Sequence, residues 1–330
     1  MQIRLIKPGL LTTIQDMGRR MYLSQAVSVS GAMDTLSARI ANKVLGNNNN
    51  DAVIEFTYAD AEFKADMDVL IAYAGDGATL IAASQKIPAE RPLFIPKGTT
   101  VKLINRSLGC RTYLSVAGGW DVPEVLGSKS TFITAGFGGL AGRALKAGDT
   151  LNGAEQVSTI TQKILDSLKG DGLSYTNWSL PSQLILPADR KTIRVIPAHE
   201  FNWFDSQAIL DFLSTAYIIG SNSNRMGYHL EGAVLNRVKK DELLSTAVTP
   251  GTIQVTGNGG MILLMADCQT TGGYPRMAQV ALVDLPLCAQ LKPGDAIYFK
   301  EIGPREAEML YLERELQLQR LTTAVNSKFL

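Results

Sequence analysis

Val53-Ile54-Glu55-Phe56-Thr57, Val69-Leu70-Ile71-Ala72-Tyr73, Leu93-Phe94-Ile95, Val101-Lys102-Leu103-Ile104 and Thr112-Tyr113-Leu114-Ser115-Val116 follow one another between Asp51 and Leu151. Each is short, apolar and rich in β-branched or aromatic residues. Gly75-Asp76-Gly77 and Pro96-Lys97-Gly98 supply turn chemistry between them. This spacing predicts an antiparallel sandwich or barrel rather than a series of βαβ units.

Helices punctuate the strands. Asp34 is suited to N-cap a helix with Leu36, Ile40, Val44 and Leu45 on one face and Gly46 as its stop. Ser158 to Lys169 repeats that logic with Ile160, Ile164, Leu165 and Leu168, ending at Gly170, and Asp205 to Ser214 carries Ile209, Leu210, Phe212 and Leu213. After Pro304 a helix is expected, with proline in its first turn and Met309, Leu312 and Leu316 on one stripe.

Three marks recur in the same order. Ile3-Arg4-Leu5-Ile6 returns as Ile193-Arg194-Val195-Ile196, Leu114-Ser115-Val116-Ala117 as Leu263-Leu264-Met265-Ala266, and Leu145-Lys146-Ala147-Gly148-Asp149 as Leu291-Lys292-Pro293-Gly294-Asp295. The offsets are unequal, so the first copy is the longer internally. The expectation is a mainly β chain with a few helices, built as two tandem β-barrel halves plus a C-terminal helix. Its parts are a first half over 1–151, a linker with one helix over 152–190, a second half over 191–303 and the helix over 304–330.

Lys and Arg number 32 against 31 Asp and Glu, a formal charge of +1, which disfavours the broad basic face that nucleic-acid binding needs. No apolar run approaches the ~18–20 residues of a membrane span. The opening Met1-Gln2-Ile3-Arg4-Leu5-Ile6-Lys7-Pro8-Gly9 lacks the apolar stretch of a signal peptide, so a cytoplasmic location is expected. Cys110, Cys268 and Cys288 form no C-x-x-C, and His199 and His229 form no H-E-x-x-H. No metal site is expected from this chain alone. Catalysis must rest on carboxylates, arginines, hydroxyls, amides and backbone N–H groups.

Four constellations carry such groups. Thr12-Thr13-Ile14-Gln15-Asp16-Met17-Gly18-Arg19, followed by Ser30-Gly31-Ala32-Met33-Asp34, presents Gln15, Asp16 and Arg19 at a glycine turn; the planar fork of Arg19 suits a carboxylate-bearing ligand. Asp267-Cys268-Gln269-Thr270-Thr271-Gly272-Gly273-Tyr274-Pro275 follows the apolar run Met261 to Ala266 and delivers Asp267, Gln269, Thr270, Thr271 and Tyr274 into a glycine loop. Ser223-Asn224-Arg225-Met226-Gly227-Tyr228-His229 is dense in donors, with Arg225 and Tyr228 as candidate substrate contacts. Lys129, in Gly127-Ser128-Lys129-Ser130-Thr131, and Gly138, Gly139 and Arg143, in the next glycine-rich run, are candidates to cradle an anion or nucleotide. A P-loop is excluded, because Ser128 stands where glycine must precede the lysine. Each constellation also has a plain structural reading as a braced loop or hairpin.

Taken in order, Thr-Thr-Ile-Gln-Asp-x-Gly-Arg19, Ser30-Gly-Ala-Met-Asp34, Arg111-x-Tyr-Leu-x-Val-Ala-Gly-Gly119, Leu126-Gly-Ser-x-Ser-Thr131, Gly138-Gly-x-x-Gly-Arg143 and Asp267-x-Gln-Thr-Thr-Gly-Gly-Tyr-Pro275 resemble the allophanate hydrolase subunit 2 or KipA-like family. That family includes the C subunit of 5-oxoprolinase and is related to the carboxyltransferase region of biotin-dependent urea carboxylase. The likeness runs from about Ile3 to Phe299. It implies a cyclophilin-like β-barrel fold and one part of a heteromeric enzyme rather than a complete one. The implied partners are a KipI-like protein and a LamB/YcsF-like protein, and the implied reaction is ATP-dependent hydrolysis of 5-oxo-L-proline to L-glutamate. Within that chemistry Arg19 or Arg225 would stabilise charge developing on the lactam oxygen, and Asp16 or Asp267 would handle protons. The chain departs from the family pattern at Asn224, where Asp is usual, at His229, where Arg is usual, and at Cys268, often Arg. Two alternatives stand beside this reading. One is a carboxyltransferase component acting on a urea-like amide, whose biotin carrier would be another polypeptide. The other is a regulatory protein that binds a KipI-like kinase inhibitor.

Overall fold

The computed structural model describes residues 1–239 and 243–329. Residues 240–242 and 330, in the expected second half and tail, lie outside the described residues. The chain divides into two compact units. One comprises Met1–Arg19, Asp34–Ile185 and the chain from Leu316 on; the other comprises Arg20–Met33 and Leu186–Glu315.

In the first unit the strands are β1 (Gln2–Pro8), β2 (Leu11–Gln15), β3 (Val53–Thr57), β4 (Ala61–Ala65), β5 (Val69–Ala74) and β6 (Ala78–Ala82). They continue with β7 (Gln85–Ile87), β8 (Leu93–Ile95), β9 (Thr100–Asn105), β10 (Arg111–Val116), β11 (Thr150–Asn152) and β12 (Ser174–Tyr175). These form two six-stranded sheets, ordered β11-β1-β4-β9-β6-β7 and β12-β8-β5-β10-β3-β2. Their shared core contains Ile3, Leu5, Ile14, Ile54, Phe56, Phe63, Ile71, Leu103, Leu114 and Trp120. Period-two alternation sends Ile54 and Phe56 of β3 into that core and leaves Glu55 on the opposite face.

The second unit is built on β13 (Thr192–Pro197), β14 (Tyr217–Ile219), β15 (Gly227–Glu231), β16 (Thr246–Ala247), β17 (Thr252–Val255), β18 (Met261–Leu264), β19 (Thr271–Gly272), β20 (Arg276–Val280) and β21 (Ala296–Glu301). Seven of them close a barrel in the order β13-β20-β17-β18-β15-β14-β21, while β16 and β19 make a separate ribbon. Closure leaves the barrel wall without edges. Its interior is filled by Ile193, Phe212, Tyr217, Tyr228, Ile253, Leu263, Met277, Ile297 and Phe299. Phe212 stacks on Phe299 at 4.7 Å.

The recurring marks occupy comparable places. The first opens each unit's strand series as β1 and β13, and the third forms the turn before β11 and before β21. The pairing then differs, since β11 runs antiparallel to β1 whereas β21 runs parallel to β13.

Three expected helices form where their caps place them. Asp34 accepts from Ser37 N–H at the start of α1 (Thr35–Lys43), Ser158 from Thr161 N–H at α2 (Thr159–Leu168), and Asp205 from Ala208 N–H at α3 (Ser206–Ser214). A short helix α4 (Leu285–Gln290) has no counterpart among the expected elements; Leu-Pro-Leu-Cys-Ala-Gln has no polar stripe, and five of its six residues are buried. The C-terminal helix is α5 (Pro304–Ser327). Arg314 on it donates to the carbonyls of Leu282 and Val283 in the second unit, and Thr322 meets Lys43 in the first. Among the described residues no helix is long and apolar enough to cross a membrane.

Candidate functional site

In the first unit β2 ends in a turn, with Gly18 at φ +80° in the left-handed region that glycine adopts without a Cβ clash. The Asp16 carboxylate is buried there and filled with donors. Oδ1 accepts from Gly18 N–H at 2.8 Å and from the Ser128 hydroxyl at 2.7 Å, and the Ser130 hydroxyl also donates to it; Oδ2 accepts from Lys129 N–H at 2.6 Å. Arg19, also buried, donates to the Ser130 carbonyl and lies over the Phe137 ring at 4.8 Å. Gln15 donates to the Thr13 hydroxyl and the Thr131 carbonyl.

The candidate anion residues sit around the same turn. A Cβ on Gly138 would fall 2.0 Å from the Ser130 carbonyl oxygen, and one on Gly139 would fall 2.0 Å from Thr131 Oγ1. Gly138 therefore lets two backbone segments touch, and Gly139 makes room for the Thr131 side chain. The Lys129 ammonium reaches the Trp120 carbonyl at 3.4 Å. Arg143 grips Asp149 through two bonds of 2.7 and 2.9 Å and braces its own turn. Hydrogen bonding to Arg143, ahead of the opposing effect of burial, holds the Asp149 carboxyl below the ordinary aspartate value.

In the second unit Arg225 and Asp267 form a buried two-pronged pair, Nε to Oδ2 at 2.8 Å and Nη2 to Oδ1 at 3.0 Å. Arg225 Nη2 also donates to the Gly31 carbonyl at 2.6 Å, and Ser30 N–H donates to the Ala266 carbonyl. Ser30 and Gly31 both take positive φ. The pair thus pins the Ser30–Gly31 turn to the end of β18.

The other predicted contacts in this unit separate. Tyr228 is in the barrel core, because on β15 the even-numbered side chains point inward. Thr270 gives its carbonyl to Val248 N–H, and Thr271 pairs with Ala247 in the ribbon. Gln269 donates to Gln254, whose own amide donates to the Tyr274 carbonyl. Cys268 is packed with Val248 and Leu264, and burial pushes its thiol up to about 12, so it is not a nucleophile near neutrality. Gln269, Thr271 and Tyr274 are exposed, and Tyr274 lines an open cavity on the outer barrel wall.

One polar row escaped the sequence reading. Cross-strand register places Thr13, Glu55, Tyr113 and Ala74 side by side on the sheet face away from the core. The Tyr113 hydroxyl donates to Glu55 Oε2 at 2.8 Å and accepts from Asp34 N–H at 2.7 Å. Burial, then the charges of Glu55 and Asp34, push the Tyr113 phenol well above the ordinary tyrosine value. The available signal was Glu55 itself, a charge at the centre of a strand whose five residues are all buried.

Residues 25–301 match the model of the carboxyltransferase domain, subdomain A and B. The chain is 36% identical over 305 residues to the C subunit of Escherichia coli 5-oxoprolinase, covering 92% of this chain and 93% of that protein. It is 33% identical over 317 residues to the C subunit of Haemophilus influenzae 5-oxoprolinase, covering 96% of each. Among solved structures it superposes on the urea amidolyase of Kluyveromyces lactis with a TM-score of 0.85 at 29% identity, covering 97% of this chain but only 20% of that much longer one. A match that spans both units, in sequence and in fold, leaves one assignment: this chain belongs to the family of the carboxyltransferase domain, subdomain A and B.

Proposed function

We propose that the chain is the C subunit of an ATP-dependent 5-oxoprolinase, working with a KipI-like protein and a LamB/YcsF-like protein to hydrolyse 5-oxo-L-proline to L-glutamate. The observation that carries this reading is the end-to-end similarity to the C subunit of E. coli 5-oxoprolinase. A lactam carbonyl is a poor electrophile. Transfer of a phosphoryl group from ATP to its oxygen makes the ring carbon attackable. Water then adds at that carbon, the ring C–N bond breaks with protonation of the amine, and a second water releases phosphate. The reaction consumes two waters and yields glutamate, ADP and phosphate.

In this scheme Arg19 or Arg225 supplies positive charge for the lactam oxygen that becomes anionic. Asp16 and Asp267 act as positioning residues instead of proton carriers, because their oxygens already accept hydrogen bonds from Ser128, Lys129 and Ser130 or from Arg225. The test is reconstitution. The purified chain, mixed with its two partners, releases glutamate from 5-oxo-L-proline only when ATP is present; a full set that releases none with ATP overturns the reading.

The superposition on K. lactis urea amidolyase favours one second reading, a carboxyltransferase component acting on a urea-like amide. That reading requires turnover to depend on a biotinylated partner, and avidin then abolishes it. Avidin-insensitive turnover removes it.

A further inference from the structure

On β15 the side chains alternate. Tyr228 and Leu230 enter the barrel core, while His229 and Glu231 point out to solvent on the same face. Cross-strand pairing sets Ile262 of β18 beside His229. This patch of outer wall is walled in by two further segments. The loop after β14 is tied down by Gly220 N–H to the His229 carbonyl at 2.8 Å and by His229 N–H to Ser223 Oγ at 3.2 Å. The β17–β18 hairpin is closed by the Thr256 hydroxyl on the Gly260 carbonyl at 2.9 Å. With Tyr274 they border an open cavity of about 570 Å³, inside the range of about 300–1,000 Å³ usual for small-molecule sites.

Thr256 and the Asn258 carboxamide oxygen are spent on closing the hairpin, but four other polar groups of the lining are uncommitted. The Glu231 carboxylate, the His229 imidazole, the Asn222 carboxamide and the Tyr274 hydroxyl make no hydrogen bond or ion pair among the described residues. The carboxylates of Asp16 and Asp267, by contrast, are spent on internal donors. Gly220 has a part in this. A Cβ there would come within 2.7 Å of Glu231 Oε1, so glycine leaves room for the carboxylate at the cavity rim.

A carboxylate, an imidazole two residues away and carboxamides on opposite rims are complementary to a molecule carrying both an ammonium and a carboxylate. We propose that this cavity is a binding site for a free α-amino acid. Glu231 accepts from the ammonium group, His229 with Asn222 and Asn258 donates to the carboxylate, and Ile262 with the Tyr274 ring flanks the side-chain methylenes. The site discriminates by charge. A lactam nitrogen is neutral and gives Glu231 no cation, so an open-chain amino acid binds and its cyclic amide does not. The choice of L-glutamate as first probe rests on the function proposed above; the site itself does not.

The test is calorimetric titration of the purified full chain, without partners, using L-glutamate, L-glutamine, glutarate and 5-oxo-L-proline. The two α-amino acids bind, and glutarate and 5-oxo-L-proline bind at least about tenfold more weakly, as loss of one charge-assisted hydrogen bond requires. Glu231→Gln erases that preference, and Gly220→Ala weakens L-glutamate binding by displacing the carboxylate. Absence of binding by either α-amino acid up to about 10 mM, about tenfold above the ~1 mM Kd of a weak ligand, overturns the proposal. So does a Glu231→Gln protein that keeps the full preference. Amino-acid binding that persists in a chain whose reconstituted complex lacks lactam hydrolysis would sink the proposed function and leave this site standing.

Discussion

Asp16 and Asp267 in the motif turns and Glu231 on the outer barrel wall are all carboxylates, yet they are used in opposite ways. The first two are buried and saturated, one by two serine hydroxyls and two backbone N–H groups, the other by Arg225. Glu231 is exposed and faces an open cavity with no internal partner among the described residues. The contrast teaches that a dense run of polar residues in this chain marks the places where backbone is forced into tight turns. Unspent polar capacity gathers instead where three unassuming segments meet.

Four substitutions or titrations break or sharpen that contrast. Asp267→Ala strands the Arg225 guanidinium in a buried site, and removal of one partner of such a pair costs about 3–5 kcal/mol; urea unfolding with an unchanged m-value measures it. Asp16→Ala leaves the donors of Ser128, Lys129, Ser130 and Gly18 without their acceptor and costs about 2–3 kcal/mol by the same measurement. If either variant unfolds at the wild-type midpoint, the carboxylate is not a structural brace.

Acidification gives a smaller effect at Asp149. Its folded pKa lies below the unfolded value of about 3.9, so its contribution is fully present above that value and is lost as pH falls through the folded pKa. The stability gap between wild type and Asp149→Asn therefore narrows below about pH 4 in thermal scans, and a constant gap would show that the Arg143 pairing does nothing. Glu231→Gln is the smallest. An exposed, unpartnered carboxylate changes stability by no more than about 0.5 kcal/mol, and a larger loss in urea would mean that Glu231 has a structural role.

Much of the fold was legible because local rules sufficed. Asp34, Ser158 and Asp205 announced their helices through capping chemistry that acts over three residues. Strands such as Val69–Ala74 declared themselves by composition. The helix Leu285–Gln290 did not, since a segment buried on nearly all sides has no amphipathic period to read. The same limit applied to the sites. The Arg225–Asp267 pair drew attention as two motifs, but their partnership spans 42 residues and depends on the register of β15 with β18. Glu55 carried a visible signal, a charge inside an apolar strand, whereas its bond to Tyr113 appears only once β3 and β10 are aligned. The cavity was least legible, because His229 on β15, Asn258 in the β17–β18 hairpin and Tyr274 between β19 and β20 are brought together only by the closed barrel.

The division of the chain bears on biosynthesis. The polypeptide passes from one unit to the other after Arg19, after Met33, after Ile185 and after Glu315, so the first unit includes residues from Leu316 onward. A ribosome delivers its two six-stranded sheets early, but Leu318 and Val325, buried members of the same unit, follow the whole of the second unit. Completion of the first unit ahead of the second during translation is therefore closed to this chain. A nascent chain halted before α5 holds an unfinished first unit, and quality-control machinery would meet it in that state.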